Sequence, residues 1–193
     1  MVENMEVIAN DKIIKISNLK IYENYIVKEY YNRYKFVKVI AENEISINKK
    51  LKKLGLVYVP KLLSIKQNDK FIKLYFEKIE GRTLGNVKFV YMKFEEKYRL
   101  FFKILNLIKL LHMNNIVHND LKMSNIILNY DKEIYLIDFA LSTLKDEANC
   151  KYDLQDLTAI AEKIFEKKVI ISANTIHGYI KKVNEIKYYL SNS

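Results

Sequence analysis

The hydrophobic pattern changes period near residue 80, and this change narrows the folds open to the chain more than any other feature. Between Glu6 and about Tyr31 the runs MEVIA, KIIKIS and NYIVKEYY are rich in β-branched and aromatic residues and are separated by polar pairs. They predict three antiparallel strands with turns near Asn10-Asp11 and Glu23-Asn24. Residues 36–54 then place Val39, Ile40, Ile45, Ile47, Leu51 and Leu54 near helical spacing, with Gly55 as the C-cap. After Pro60, the runs KLLSIKQ and KFIKLYFEK flank Asn68-Asp69, a pair suited to a hairpin turn. Five strands and one helix make a small sheet-based unit.

Past the acidic, Gly-marked stretch EKIEGRTLG, apolar residues recur at the helical period instead. Phe94, Tyr98, Phe101, Leu105, Ile108 and Leu111 stand three or four apart and predict a long core-facing helix. Two short strands follow in NIIL and EIYLIDF, then a helix over YDLQDLTAIAEKIFEK with Asp153 as a candidate N-cap. The hinge falls around Glu77 to Gly81, so residues 1–78 and 79–193 are the expected lobes of one domain. With 193 residues and half of them hydrophobic, the chain has the apolar content for a sizeable core and is not a disordered tail. A single Cys excludes an internal disulfide framework or a Cys-rich zinc site and predicts a reducing, cytoplasmic setting. No stretch approaches the roughly 20 apolar residues of a membrane helix, and MVENMEVIAN lacks the layout of a signal peptide, so no membrane partner is expected. The formal charge of +10 attracts polyanions such as nucleic acid, although a Lys-, Ile-, Asn- and Tyr-rich composition is also what an AT-rich coding sequence produces. The run KKLKK at 49–53 has the same two readings, a solvated helix face or a nucleic-acid contact.

The stretch with the most chemical content is VHNDLKMSNIIL followed by YLIDFALS, which puts Asp120, Lys122, Asn125 and Asp138 on loops beside short strands. A carboxylate to orient an acceptor hydroxyl, oxygen ligands for Mg²⁺ and cations for phosphates are the groups phosphoryl transfer needs. HNDLKMSN resembles the catalytic loop of the protein-kinase superfamily, and IDFA resembles its metal-binding D-F-G, with Ala140 where the glycine stands. The resemblance implies an α+β, two-lobed protein-kinase-like fold: a small antiparallel β lobe with one helix, then a reduced, mainly helical lobe. It also implies ATP and Mg²⁺ as cofactors. Asp120 then orients the acceptor hydroxyl, Lys122 meets the transferred phosphoryl group, and Asn125 with Asp138 holds Mg²⁺. Lys28 in YIVKEY holds the α- and β-phosphates and Glu44 fixes its ammonium, with Glu42 as the competing partner and two plain surface charges as the bland alternative. Phe76 guards the adenine pocket, and the backbone of Glu77 and Ile79 hydrogen-bonds the base.

By the same resemblance His118 is a structural residue at the turn before Asp120 rather than a general base, and His112 packs at a helix end. Asp153 is either a plain N-cap or a buried carboxylate that binds the catalytic-loop backbone. No Gly precedes Gly55, so the Gly-rich phosphate loop of the superfamily is missing, and the turn from Asn10 to Lys12 is its candidate substitute. The interval between Asp138 and Asp153 is short and no A-P-E follows, which disfavours regulation by an activation loop.

A compact chain with K-x-Y, GLVYVPKLL, EKIEGRTL, IDFALS and KYDLQDL is similar to the small kinase subunit of the KEOPS tRNA-modification complex, the PRPK family. That likeness implies an atypical Ser/Thr kinase or ATPase with protein partners in a tRNA-modification complex and tRNA contact through a basic surface. Asn119, Ala140 and the tail VNEIKYYLSNS depart from the family's H-G-D, D-F-G and Arg-rich end, and the tail argues against stimulation by tRNA. Two other readings stand beside it: a small-molecule phosphotransferase of the choline or aminoglycoside kinase type, and a non-catalytic nucleotide-binding scaffold.

Overall fold

The computed structural model describes residues 4–9, 12–145 and 150–191, with side chains from Ile16 onward in the first segment of the chain. The chain forms two compact units that divide between Glu80 and Gly81. The first is a five-stranded antiparallel sheet, β1 (Asn4–Ala9), β2 (Lys12–Ile21), β3 (Tyr25–Tyr31), β4 (Leu62–Gln67) and β5 (Phe71–Glu77), in the order β1-β2-β3-β5-β4. Helix α1 (Lys35–Lys53) runs between β3 and β4, so β4 reaches the far edge and β5 returns to pair with β3. The predicted turn at Asn10-Asp11 lies outside the described residues.

Local chemistry sets the ends of these elements. At the β4–β5 hairpin the Asn68 side chain accepts the N–H groups of Lys70 and Phe71 at 2.9 and 3.1 Å, an Asx turn that leaves few backbone donors unmet. Helix α1 stops at Gly55, whose φ of 67° is costly for other residues. There the N–H of Gly55 donates to Lys52 and that of Leu56 to Leu51, which closes the helix in a Schellman motif.

The face that α1 buries differs from the one its apolar residues select. Val39 and Leu54 are exposed, whereas Val37, Ala41, Glu44, Ile47, Asn48 and Leu51 are buried. The stripe runs four, three, four and three residues apart through 37, 41, 44, 48 and 51, the spacing of a helix face. Two of its members are polar, so an apolar count alone drifts off the true face. Val37 and Ala41 pack on Ile16, Tyr30, Ile72 and Leu74 of the sheet to form the core of this unit.

The second unit begins with β6 (Gly81–Thr83) and is built on α2 (Phe94–Met113). Next come β7 (Ile116–Val117), the hairpin of β8 (Ile126–Asn129) and β9 (Ile134–Leu136), then β10 (Thr143–Leu144), α3 (Cys150–Phe165), α4 (Ile176–Glu185) and α5 (Lys187–Ser191). β6, β8 and β9 form one small sheet and β7 pairs with β10 in another. The long helix behaves as its periodicity predicts: Phe101, Ile104, Leu105, Ile108 and Leu111 are fully buried, alongside Leu157, Ile160 and Ile164 of α3. Gly81 sits in the β6–β8 ladder so close to its neighbour that a Cβ would lie 2.4 Å from the Leu128 carbonyl oxygen. Among the described residues no helix is long and apolar enough to cross a membrane.

Candidate active site

In the first unit the structure brings Lys28 and Glu44 together. Lys28 sits mid-strand on β3 and points to the α1 side, where its Nζ lies 3.2 Å from Glu44 Oε1. Both side chains are buried, which is tolerable only because each charge has a partner. Tyr30, two residues along the same strand face, donates its hydroxyl to Glu44 Oε2 at 2.5 Å, and the Lys28 ammonium lies 5.3 Å from the Tyr30 ring centroid. Burial, and then the Glu44 charge, push the Tyr30 phenol well above its usual range, so it remains a donor. Asn48 donates to the Glu44 carbonyl at 2.8 Å, one turn further along α1. Glu42 is exposed and stands 3.8 Å from Lys38, so it is not the partner of Lys28.

Tyr30 is absent from the sequence-based set of site residues, although its place two residues after Lys28 was a usable signal. Phe76, half-buried, packs against the sheet–helix core. The backbone N–H of Glu77 is committed to the Lys61 carbonyl at 2.9 Å. Ile79 lies in the irregular stretch after β5 and is partly buried.

In the second unit a hairpin sets Asn125 beside the segment that carries Asp138. Ile126 of β8 pairs with Leu136 of β9, and the Ile137 N–H continues the ladder to the Asn125 carbonyl at 3.0 Å. Asn125 and Asp138 therefore lie at the same end of the hairpin. The Asp120 carboxylate is held from two sides: Lys122 Nζ lies 2.8 Å and Asn125 Nδ2 2.9 Å from Oδ2. Asn125 Nδ2 also donates to the Asp120 carbonyl at 2.9 Å, so its amide nitrogen is spoken for and Oδ1 is its ligand-type atom.

Asp138 has a φ of 64°, a left-handed conformation that aspartate adopts more readily than most residues with a Cβ. Ala140 is buried and is not among the positive-φ residues, so its Cβ causes no backbone strain in place of a glycine. Among the described residues no three His, Cys, Asp or Glu side chains group as metal ligands. An amide oxygen and one carboxylate are hard donors that suit Mg²⁺ when phosphate oxygens and water complete its shell, so Asn125 and Asp138 fit that ion.

Asp153 anchors this region from α3. It is fully buried; Oδ2 faces His112 Nε2 at 2.8 Å and accepts the His118 N–H at 3.0 Å, while Oδ1 accepts the Asn119 N–H at 2.8 Å. It therefore binds the loop backbone and is not an N-cap, which resolves the two sequence-based alternatives. His118 is fully buried, its Nε2 lying 3.1 Å from the Ile137 carbonyl and its Nδ1 accepting the Asp120 N–H at 3.3 Å. With both ring nitrogens occupied and its pKa lowered chiefly by burial, it stays neutral and bridges two segments.

Asn119 takes a φ of 62°, which asparagine tolerates better than most residues. Its Nδ2 reaches the Leu141 carbonyl at 3.1 Å and Thr143 Oγ1 at 2.7 Å. Asp156, one turn beyond Asp153, accepts the Leu121 N–H at 3.2 Å. Burial first, then the Asp153 charge, push its carboxyl up to about 6. Neither contact is legible in the sequence, where an asparagine in a loop and an aspartate on a helix are ordinary.

The first unit thus holds a buried Lys–Glu–Tyr cluster, and the second holds a supported carboxylate beside an Asn/Asp pair. A family model for the protein kinase domain matches residues 10–181. The dual specificity protein kinase zakA of Dictyostelium discoideum is 30% identical over 132 residues, 65% of this chain and 17% of that protein. The "Probable serine/threonine-protein kinase KIN1 homolog" of Enterocytozoon bieneusi is 32% identical over 91 residues, 46% of this chain and 15% of that one. The chain thus spans less than a fifth of the length of either relative. A crystal structure of WbdD superposes with a TM-score of 0.63 at 17% identity, covering 93% of this chain and 48% of that one, a likeness of fold.

Proposed function

The chain belongs to the protein kinase domain family, and on that premise we propose that it transfers the γ-phosphoryl group of ATP to a serine or threonine hydroxyl. The observation that carries this reading is the Asp120 carboxylate, held by Lys122 and Asn125. A carboxylate so fixed orients an acceptor hydroxyl and takes its proton as the new O–P bond forms and the bond to the ADP leaving group breaks. Lys122 offsets charge on the transferred group, and Lys28, held by Glu44, binds the α- and β-phosphates. Asn125 and Asp138 are the residues to hold Mg²⁺, which when bound neutralises phosphate charge. Glu77 and Ile79 supply backbone contacts to the adenine.

The finer reading is an atypical small kinase or ATPase like the KEOPS kinase subunit, acting with protein partners and tRNA in the cytoplasm. Its support is the motif likeness together with the short interval from Asp138 to the start of α3 at Cys150, which has little room for a regulatory activation loop. The test is ADP production from labelled Mg²⁺-ATP by the wild type and by Asp138→Ala, following the label to protein, RNA or free phosphate. Turnover lost in the variant is the expected result. Equal turnover in both proteins overturns the assignment. Nucleotide-dependent thermal stabilisation without turnover moves it to a nucleotide-binding scaffold.

A further inference from the structure

The first unit has a second sheet face, opposite the one that packs on α1, and its composition is unusual for a surface. The β3–β5 register places Val27 beside Tyr75, Glu29 beside Lys73 and Tyr31 beside Phe71 on this face. Tyr22 stacks on Tyr25 with ring centroids 4.6 Å apart and planes 16° from parallel, and Tyr25 lies 5.9 Å from Tyr75. The three rings run from the β2–β3 turn across β3 to β5; Tyr22 at the end is 44% exposed, and Tyr25 and Tyr75 are half-buried.

Cations surround the rings. Lys66 Nζ sits 5.4 Å from the Tyr75 centroid and Lys73 Nζ 4.3 Å from that of Phe71. Lys20 and Lys73 flank Glu29 at 3.5 and 3.0 Å, and with Lys66 and with Glu77, which pairs with Tyr25 on the same face, the patch carries three positive and two negative charges. Aromatic rings on the outer face of a sheet, edged by lysines, suit bases on the rings and phosphates on the ammonium groups. A protein partner would more often meet an apolar centre with charges kept to the rim.

We propose that this outer sheet face binds single-stranded RNA. Successive bases continue the Tyr22–Tyr25–Tyr75 ladder, Lys66 moves from the Tyr75 ring to a phosphate, and Lys20 supplies a second phosphate contact. The exposed Ser64, which pairs with Tyr75 in the β4–β5 register, is a hydrogen-bonding group for a ribose 2′-hydroxyl. None of these residues belongs to the phosphoryl-transfer set, so the proposal stands apart from that reading and is testable without ATP.

The test is fluorescence anisotropy of a labelled 12-nucleotide uridine-rich RNA on the full chain across a salt series. The expected result is binding that weakens with salt, is about tenfold weaker in Tyr25→Ala and Tyr75→Ala, and is retained in Tyr25→Phe and Tyr75→Phe. The Phe variants keep the ring, so they separate stacking from a folding defect, and melting temperatures of all variants check the fold. Lys20→Gln with Lys66→Gln flattens the salt dependence. Equal binding of the matching DNA strand or of inorganic polyphosphate overturns the RNA assignment. So does an equal loss on neutralising Lys49, Lys50, Lys52 and Lys53 of α1, which marks diffuse attraction instead. Absence of RNA binding, with self-association or protein capture lost in the Tyr25 and Tyr75 variants, makes the face a protein interface and overturns the proposal.

Discussion

Replacing Asp153 with asparagine leaves the shape of the side chain intact and removes one charge and one acceptor from the point where three donors converge. Its Oδ2 serves His112 and the His118 N–H, and its Oδ1 serves the Asn119 N–H. An amide turned with its oxygen in the place of Oδ2 keeps two of these contacts and sets its NH₂ against the Asn119 N–H. That part-buried N–H then lacks an acceptor, at about 1–3 kcal/mol, and each retained bond falls from charge-assisted to neutral strength, a loss of about 1 kcal/mol each. The expected destabilisation is about 3–5 kcal/mol, a large share of the roughly 5–15 kcal/mol that holds a domain together. Urea unfolding at pH 7 measures it as a lower midpoint at unchanged m-value. Turnover should fall too, because Asn119 and Asp120 are adjacent on the anchored loop. A loss below about 1 kcal/mol would refute the reasoning, since it would mean that the three contacts are not jointly satisfied by a charged oxygen pair.

Other substitutions test separate parts of the argument. Tyr30→Phe deletes the hydroxyl on Glu44 and should cost about 1.5–3 kcal/mol while raising the KM for ATP through a looser Lys28; thermal melts and initial rates report both. Gly81→Ala puts a Cβ 2.4 Å from one backbone atom and 2.7 Å from another, so it should cost about 1–3 kcal/mol or more. Gly55→Ala meets open space but keeps a φ of 67°, and its cost should be nearer 1–2 kcal/mol. Denaturant midpoints rank the two. Asp156 binds its proton more tightly folded than unfolded, so its contribution to stability falls as pH rises from about 4 to about 6. Melting temperatures of Asp156→Asn relative to wild type should therefore climb through that window and level off above it; a flat difference would remove Asp156 from the account.

The strands and helices were legible where a single side-chain period ran uninterrupted. Helix α2 shows this: an apolar residue every three or four positions leaves one face to bury, and that face is buried. The Asn68-Asp69 turn and the Gly55 cap were equally legible, because turn chemistry is decided by a few local atoms. The buried face of α1 was not, since Glu44 and Asn48 sit on it and read as solvent-facing until their partners are known.

The motif residues Asp120, Lys122, Asn125 and Asp138 were identifiable from type and spacing in one short segment. Tyr30, Asp156 and the Asn119–Thr143 contact were not, because each is defined by a partner from another part of the chain. The sequence by itself determined the α+β class, through local period and residue type, and the protein-kinase-like superfamily, through the resemblance carried by HNDLKMSN and IDFA. Only the tertiary structure decided which of Glu42 and Glu44 meets Lys28, whether Asp153 caps a helix or holds a loop, and where the tyrosines and lysines of β2 to β5 converge. Burial and hydrogen-bond partnership depend on strand order and register, and these arise from contacts far apart in sequence.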